Sequence, residues 1–295
     1  MTNQPTAVAV EKSILGEGPI WLPDNGRLIW VDIEGMAVRW YEPATGKQGS
    51  VSVGQRIGAV VQADDGRMVG ALENGFAFLD PTSGLLEPIA DPEAHLPGNR
   101  FNDGKVDPAG RFWAGTMPKG DEGPVGALYR LDGDGSVRRM VEEIGCSNGL
   151  GWSLDGKTMY YIDTSTGRVD GFDYDAESGE IGNRRTVASI PRELGHPDGM
   201  TVDEEGMLWV ACWDGYGISR IDPATGSQLE RLELPVSRVT SCCFGGDNMD
   251  ELYITSASVG LSEEQLRLEP LAGSLFVCKP GVKGRRSNEY KVKKT

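Results

Sequence analysis

Four residues with side-chain oxygens each stand directly before a glycine: Glu17-Gly18, Asp103-Gly104, Asn148-Gly149 and Asp198-Gly199. Asn102 sits one place before Asp103 and can reach the same point. Carboxylates and amides of this kind are hard ligands, suited to Ca²⁺, Mg²⁺ or Mn²⁺ rather than to soft metals. Two carboxylates would neutralise a divalent ion, whereas close, unpaired carboxylates repel one another. Taken singly, Asp-Gly and Asn-Gly are common turn pairs. Their recurrence at matching places in a repeated pattern points instead to a site, because Ile57-Gly58 and Thr240-Ser241 hold the corresponding places in two other units and lack the oxygens. A purely structural requirement would recur in all of them.

The pattern that positions these residues is a repeat. An acidic or turn residue, a glycine and then an apolar run recur as DNGRLIWVD from Asp24, DDGRMVGAL from Asp64, DPAGRFWAGT from Asp107, LDGKTMYYID from Leu154 and EEGMLWVAC from Glu204. A degraded sixth copy, DNMDELYITSA, starts at Asp247. The repeat glycines are Gly26, Gly66, Gly110, Gly156 and Gly206, so they are 40 to 50 residues apart. A second turn phrase follows each: YEPATGK, LDPTSGL, LDGDGS, YDAESGE and IDPATGS. Asp, Pro and Gly supply turn dihedrals, and Val, Ile, Trp and Tyr fill strands. Each unit therefore holds about four short antiparallel strands. Six such units predict an all-β fold, a six-bladed β-propeller in which residues 1–295 form a single domain. Equal repeat position means equal height around the central axis, so the scattered oxygens converge at one mouth of the channel. AVAVEK from Ala7 is expected to add a strand beside SLFVCK from Ser274 and close the ring. One helix is predicted in LSEEQLRLEPLAG from Leu261, capped by Ser262 and ended by Pro270.

Composition excludes several function classes. The 295 residues carry 44 acidic against 29 basic side chains, a net charge of -15. That field repels phosphate backbones and anionic lipid, so neither nucleic acid nor membrane is an expected partner. No apolar run reaches the roughly 20 residues of a membrane span, and the N-terminus lacks a secretory pattern; a cytoplasmic protein is expected. Five cysteines, an odd number without C-x-x-C, predict reduced and mostly buried thiols. With only His95 and His196 present, a three-histidine zinc site is impossible. Neither a G-x-S-x-G elbow nor a phosphate-binding P-loop occurs.

Longer stretches carry a family resemblance: LGEGPIW from Leu15, RFNDGKVDPAGRFWAGTM from Arg100, SNGLGWSLDGKTMYYIDT from Ser147, HPDGMTVDEEGMLWVA from His196 and LAGSLF from Leu271. Over nearly the whole chain the sequence resembles the senescence-marker-protein/gluconolactonase/luciferin-regenerating-enzyme family. That resemblance implies a six-bladed propeller and one divalent cation held by Glu17, Asn148 and Asp198. It also implies a sugar lactone held by Arg100 and Asn102. Ca²⁺ is the first candidate ion, and Zn²⁺, Mg²⁺, Mn²⁺ and Fe²⁺ are compatible. The regucalcin-like members carry a glutamate contact shortly after the position of Met117, where this chain reads PKGDEG from Pro118, with Glu122 further along.

The implied reaction is metal-dependent hydrolysis of a sugar lactone, gluconolactone or a pentonolactone, to its aldonic acid. Asp198 is the candidate general base, and Asp103 the alternative base or an orienting group. A phosphotriester hydrolase like diisopropyl-fluorophosphatase, with Asn102 joining the metal ligands, is one rival reading. A non-catalytic calcium-binding regulatory propeller is another. A monomer or weak homo-oligomer is expected. His196 reads as a rim loop residue, Trp213 as a residue that could line the mouth, and the other strand tryptophans as packing. DGDGSVRRMVEE from Asp132 reads as a hairpin turn despite its likeness to a calcium loop. The basic tail from Lys279 is expected to be partly a last strand, with a frayed, solubilising end.

Overall fold

Both turn phrases close on glycines with left-handed backbones. Gly26, Gly66, Gly110, Gly156 and Gly206 have φ between 60° and 93°, a region open to glycine at little steric cost. Each donates its N–H three residues back, as Gly110 does to the Asp107 carbonyl at 3.0 Å. The degraded sixth copy puts Met249 at φ 56° in this role, with its N–H on the Gly246 carbonyl. The second phrases end alike: Gly84, Gly179 and Gly226 donate to Asp80, Asp175 and Asp222.

The structure, a computed structural model, describes residues 3–120 and 122–293. The strands between these turns form six four-stranded antiparallel sheets, the blades of a propeller. Blade 1 runs outward from Gly16–Leu22 through Arg27–Asp32 and Ala37–Glu42 to Lys47–Ser52. The innermost strands of blades 2 to 6 are Ile57–Gln62, Asn99–Val106, Ser147–Trp152, His196–Val202 and Val239–Gly245. Burial falls outward: Ser147–Trp152 is buried throughout, whereas Lys47–Ser52, at the edge of its blade, is largely exposed. The apolar cores lie between neighbouring blades. Trp113 and Trp209 fill two of them, each donating its indole N–H at 2.9 Å to a buried aspartate of the same repeat phrase, Asp107 or Asp203.

Chain-terminal expectations need two corrections. The ring does close with the N-terminus outermost in blade 6, but the strand is only Thr6–Ala7 against Phe276–Cys278, extended by the Val8 N–H on the Leu275 carbonyl. The basic tail is not frayed over residues 279–293. It crosses the lower end of the channel, opposite the mouth bearing the oxygen-rich residues. Gly284 N–H bonds the Met249 carbonyl, Asn288 Nδ2 the Val106 carbonyl, and Lys291 N–H the Gly110 carbonyl. Tyr290 is 1% exposed and donates its phenol to the Asp132 carbonyl at 2.7 Å. The apolar surface under an aromatic anchor outweighs the repulsion among the tail's cations. The predicted helix is present as Glu263–Leu268, with a capping box between Ser262 and Gln265.

Candidate functional site

The oxygen-glycine pairs are not turns. They lie inside the innermost strands, where the ladder slips. Pairing breaks between Phe101 and Gly104, Ser147 and Leu150, and Pro197 and Met200, so Asn102-Asp103, Asn148-Gly149 and Asp198-Gly199 each oppose a single residue of the next strand. The blade 1 strand slips between Glu17 and Ile20. A bulge re-aims the chain around it; all six innermost strands slip, and four of the slips carry or directly follow a carboxylate or amide side chain.

The register shifts one residue from the glycine-based alignment in blade 3. Asp103 is seven residues before Gly110, as Gly149 and Gly199 are before Gly156 and Gly206. Asp103 therefore takes the glycine's place, and Asn102 is the counterpart of Asn148 and Asp198. Close approach of neighbouring blades explains the glycines themselves. A Cβ on Gly149 would lie 2.8 Å from the Asp198 carbonyl, and one on Gly58 would lie 2.1 Å from that of Asn102.

Above the bulges is a cavity of about 220 Å³ lined by Glu17, Arg100, Asn102, Asn148 and Asp198, with Leu15, Met117, Cys146, Thr164 and Trp213 completing the wall. Arg100 is the most open of the five polar residues and is only 8% exposed. Asp103 is buried but not part of this wall; its carboxylate accepts from its own neighbour, Gly104 N–H, at 2.7 Å. His196 is exposed on its strand and outside the cavity, and Glu122 is exposed, accepting from Gly120 N–H. Trp213 does line the mouth.

Several buried carboxylates hold these strands in place. Asp32 accepts from the N–H groups of Ile14 and Leu15, and Asp163, at the same place in blade 4, from those of Gly145 and Cys146. They fix the chain two or three residues before Glu17 and Asn148. Glu93 accepts from Asn99 Nδ2, Thr116 Oγ1 and the Tyr129 phenol, anchoring the strand that carries Arg100.

Within the site, Arg100 Nη1 donates to Asn102 Oδ1 at 2.7 Å and to the Phe101 carbonyl at 3.0 Å. Asn102 Nδ2 donates to the Ser147 carbonyl at 2.8 Å, so both ends of that amide are engaged. Among the described residues Arg100 has no carboxylate partner. Asn148 Nδ2 donates to Thr164 Oγ1 at 3.0 Å, while its Oδ1 is buried without any hydrogen-bond partner. Burial, then repulsion from Asp198 and Asp103, pushes the Glu17 carboxyl well above the usual range. Burial and the charge of Asp103 do the same to Asp198, which lies within hydrogen-bonding reach of Glu17. Burial lifts the Cys146 thiol to about 12, which disfavours the thiolate that a nucleophile requires. Thr164 escapes sequence reasoning, because its hydroxyl belongs to a short 3-10 turn, Thr164–Thr166, after the second strand and only the fold brings it to Asn148.

An all-β ring with a buried, oxygen-rich pocket at the mouth of its channel defines a six-bladed propeller with a polar central cavity. The chain belongs to the SMP-30/gluconolactonase/LRE-like family, whose model matches residues 15–258. It is 44% identical to regucalcin of Xenopus laevis over 283 residues, 94% of this chain and 95% of that protein. A luciferin-regenerating enzyme has the same fold with a TM-score of 0.92 and 36% identity, over 97% of this chain and 99% of that one. A regucalcin from Agrobacterium tumefaciens, described as a calcium-binding protein, superposes with a TM-score of 0.92 and 29% identity, covering 96% of both chains. None of the helices among the described residues is long and apolar enough to cross a membrane.

Proposed function

We propose that the protein is a divalent-metal-dependent lactonase that opens a sugar lactone, gluconolactone or a pentonolactone, to the aldonic acid. The observation that carries this reading is the buried Asn148 Oδ1, left without a partner in a wall shared with two carboxyls that burial and neighbouring carboxylates push well above their usual range. A buried acceptor is rarely left orphaned, and a divalent cation would satisfy it while relieving the carboxylate repulsion. The donor set fits a hard ion: two carboxylates and an amide oxygen. Among the described residues no group of three or more His, Cys, Asp or Glu side chains is arranged to hold a metal, so the amide is an essential part of this set.

Glu17, Asn148 and Asp198 would hold the ion, which supplies Lewis acidity toward a carbonyl and toward water. Arg100 binds the oxygen-rich substrate: its guanidinium is buried, has no carboxylate partner and keeps donors free of the Asn102 bond. Asn102 sets the angle of that guanidinium. Asp198 accepts the proton of the attacking water and is the general base. Asp103 stands behind the cavity wall and acts through the field it imposes on Glu17 and Asp198. The apolar wall of Leu15, Met117 and Trp213 excludes bulk water around the ring. Arg100 Nη1 already donates to Asn102 Oδ1, and a guanidinium there disfavours a cation at the same oxygen, so three protein ligands rather than four are expected. That favours the lactonase over the phosphotriester hydrolase.

The test is proton release from a panel of aldonolactones, using protein stripped by chelator and then supplied with each divalent metal in turn. Hydrolysis that returns with metal and is lost in Glu17→Gln supports the reading. Tight Ca²⁺ binding without hydrolysis of any lactone would leave the calcium-binding reading, which the regucalcin relatives suggest.

A further inference from the structure

The lower end of the channel is closed by residues 279–293 and encloses a second cavity, on the opposite side of the molecule from the proposed active site. The tail is tied down on both sides of the opening. Lys283 carbonyl accepts from Glu204 N–H and Gly284 N–H bonds Met249 on one side. Asn288 and Tyr290 bond Val106 and Gln62 on the other. Gly284 is required for this path, because a Cβ there would fall 2.2 Å from the Phe244 side chain. Arg285 and Arg286 are therefore held over the opening.

Beneath them is a compartment of about 90 Å³ whose wall includes Lys105, Val106, Trp152, Phe244, Arg285 and Arg286, and to which no carboxylate contributes. It adjoins a larger compartment of about 390 Å³, where Asp24 and Glu289 join Lys105 and Arg286. Lys105 Nζ donates to the Met200 carbonyl at 2.6 Å, which leaves two of its three N–H donors. Neither Arg285 nor Arg286 has an ion pair or side-chain hydrogen bond among the described residues. Other arginines of this acidic chain are paired with aspartates, among them Arg39, Arg111, Arg130 and Arg220.

We propose that this lower compartment binds a small multivalent oxyanion, a phosphate or a compact polycarboxylate. Two guanidinium forks and an ammonium around one small opening match such an anion in charge and in donor geometry. Arg285 and Arg286 are exposed, so their guanidinium groups are open to a ligand, and the concave cleft beneath them concentrates their field against the negative background of the chain. The carboxylates of the larger compartment confine the anion to the smaller one. The site does not depend on the lactonase reading, since it shares no residue with the upper cavity.

Calorimetric titration of inorganic phosphate, and separately of citrate, into the metal-stripped full-length protein tests the assignment. One saturable equivalent is expected, and Arg285→Ala/Arg286→Ala should weaken it at least tenfold without moving the melting temperature of the ligand-free protein. Arg286→Gln alone serves the same purpose if the double variant does not fold. Arg100→Ala should leave this binding unchanged. Absence of saturable binding overturns the proposal. So does binding that survives loss of both arginines, or that disappears in Arg100→Ala and so belongs to the upper cavity.

Discussion

Asn148 and Thr164 form a directed pair: the asparagine amide donates to the Thr164 hydroxyl at 3.0 Å, and that hydroxyl donates in turn to the Pro197 carbonyl at 2.8 Å. The relay fixes which end of the Asn148 amide faces the cavity. It also ties the blade 4 side chain to the residue preceding Asp198, so two proposed ligands from different blades are held by one hydroxyl.

Replacing Thr164 with valine should therefore weaken divalent-cation binding by about 10- to 100-fold, the usual effect of losing a group that orients a ligand. Thr164→Ser should restore most of it. Calorimetric metal titration and the rise in melting temperature with added metal provide the readout. Unchanged affinity in the valine variant would show that Asn148 needs no such support.

Glu17→Gln should remove turnover yet stabilise the metal-free protein. A carboxyl whose folded pKa is raised favours the fold while it is protonated. Its penalty is absent below the unfolded carboxylate pKa, grows as pH rises from there toward the folded value, and is complete above it. The gain in the variant should be on the order of 1–3 kcal/mol at neutral pH and vanish near pH 4. Thermal melts of stripped protein at both pH values check the sign; a destabilised variant at neutral pH contradicts it.

Arg100→Lys keeps the charge and removes the planar fork that reaches Asn102 and the Phe101 carbonyl. Losing a charge-assisted hydrogen bond worth about 1.5–3 kcal/mol predicts a KM for the lactone raised roughly 10- to 100-fold, with a smaller change in kcat. Steady-state kinetics on metal-loaded enzyme separate the two. A fall in kcat alone would give Arg100 a role in the chemical step.

Tyr290 should report on the tail. Tyr290→Phe loses the bond to the Asp132 carbonyl and should lower stability by about 0.5–1.5 kcal/mol. Tyr290→Ala empties a buried aromatic position and should lower it by about 3–5 kcal/mol. Urea unfolding measures both. Turnover per folded molecule should be unaffected, because the tail lies at the opposite end of the channel from the proposed active site.

The fold was legible in the sequence because the information is local. Each Asp-x-Gly or Asp-Pro-x-x-Gly phrase sets its own left-handed turn, and the runs between them are short, β-branched and aromatic, so six repetitions specify six blades without reference to distant contacts. The grouping of Glu17, Asn102, Asn148 and Asp198 was legible for a related reason: equal places in a repeat become equal heights in a ring. Three features were decided only by tertiary structure. The bulges place Asn102 rather than Asp103 on the cavity wall, because a slip in pairing is set by the partner strand. The Thr164 hydroxyl reaches Asn148 across a loop whose path depends on Asp163. The tail, basic enough in sequence to read as a solvated end, is pinned under the channel by Tyr290, Gly284 and Asn288. Those contacts join residues more than 150 positions apart in some cases, as Asn288 and Val106 are, and burial of one aromatic anchor there outweighs a charge pattern that favours water.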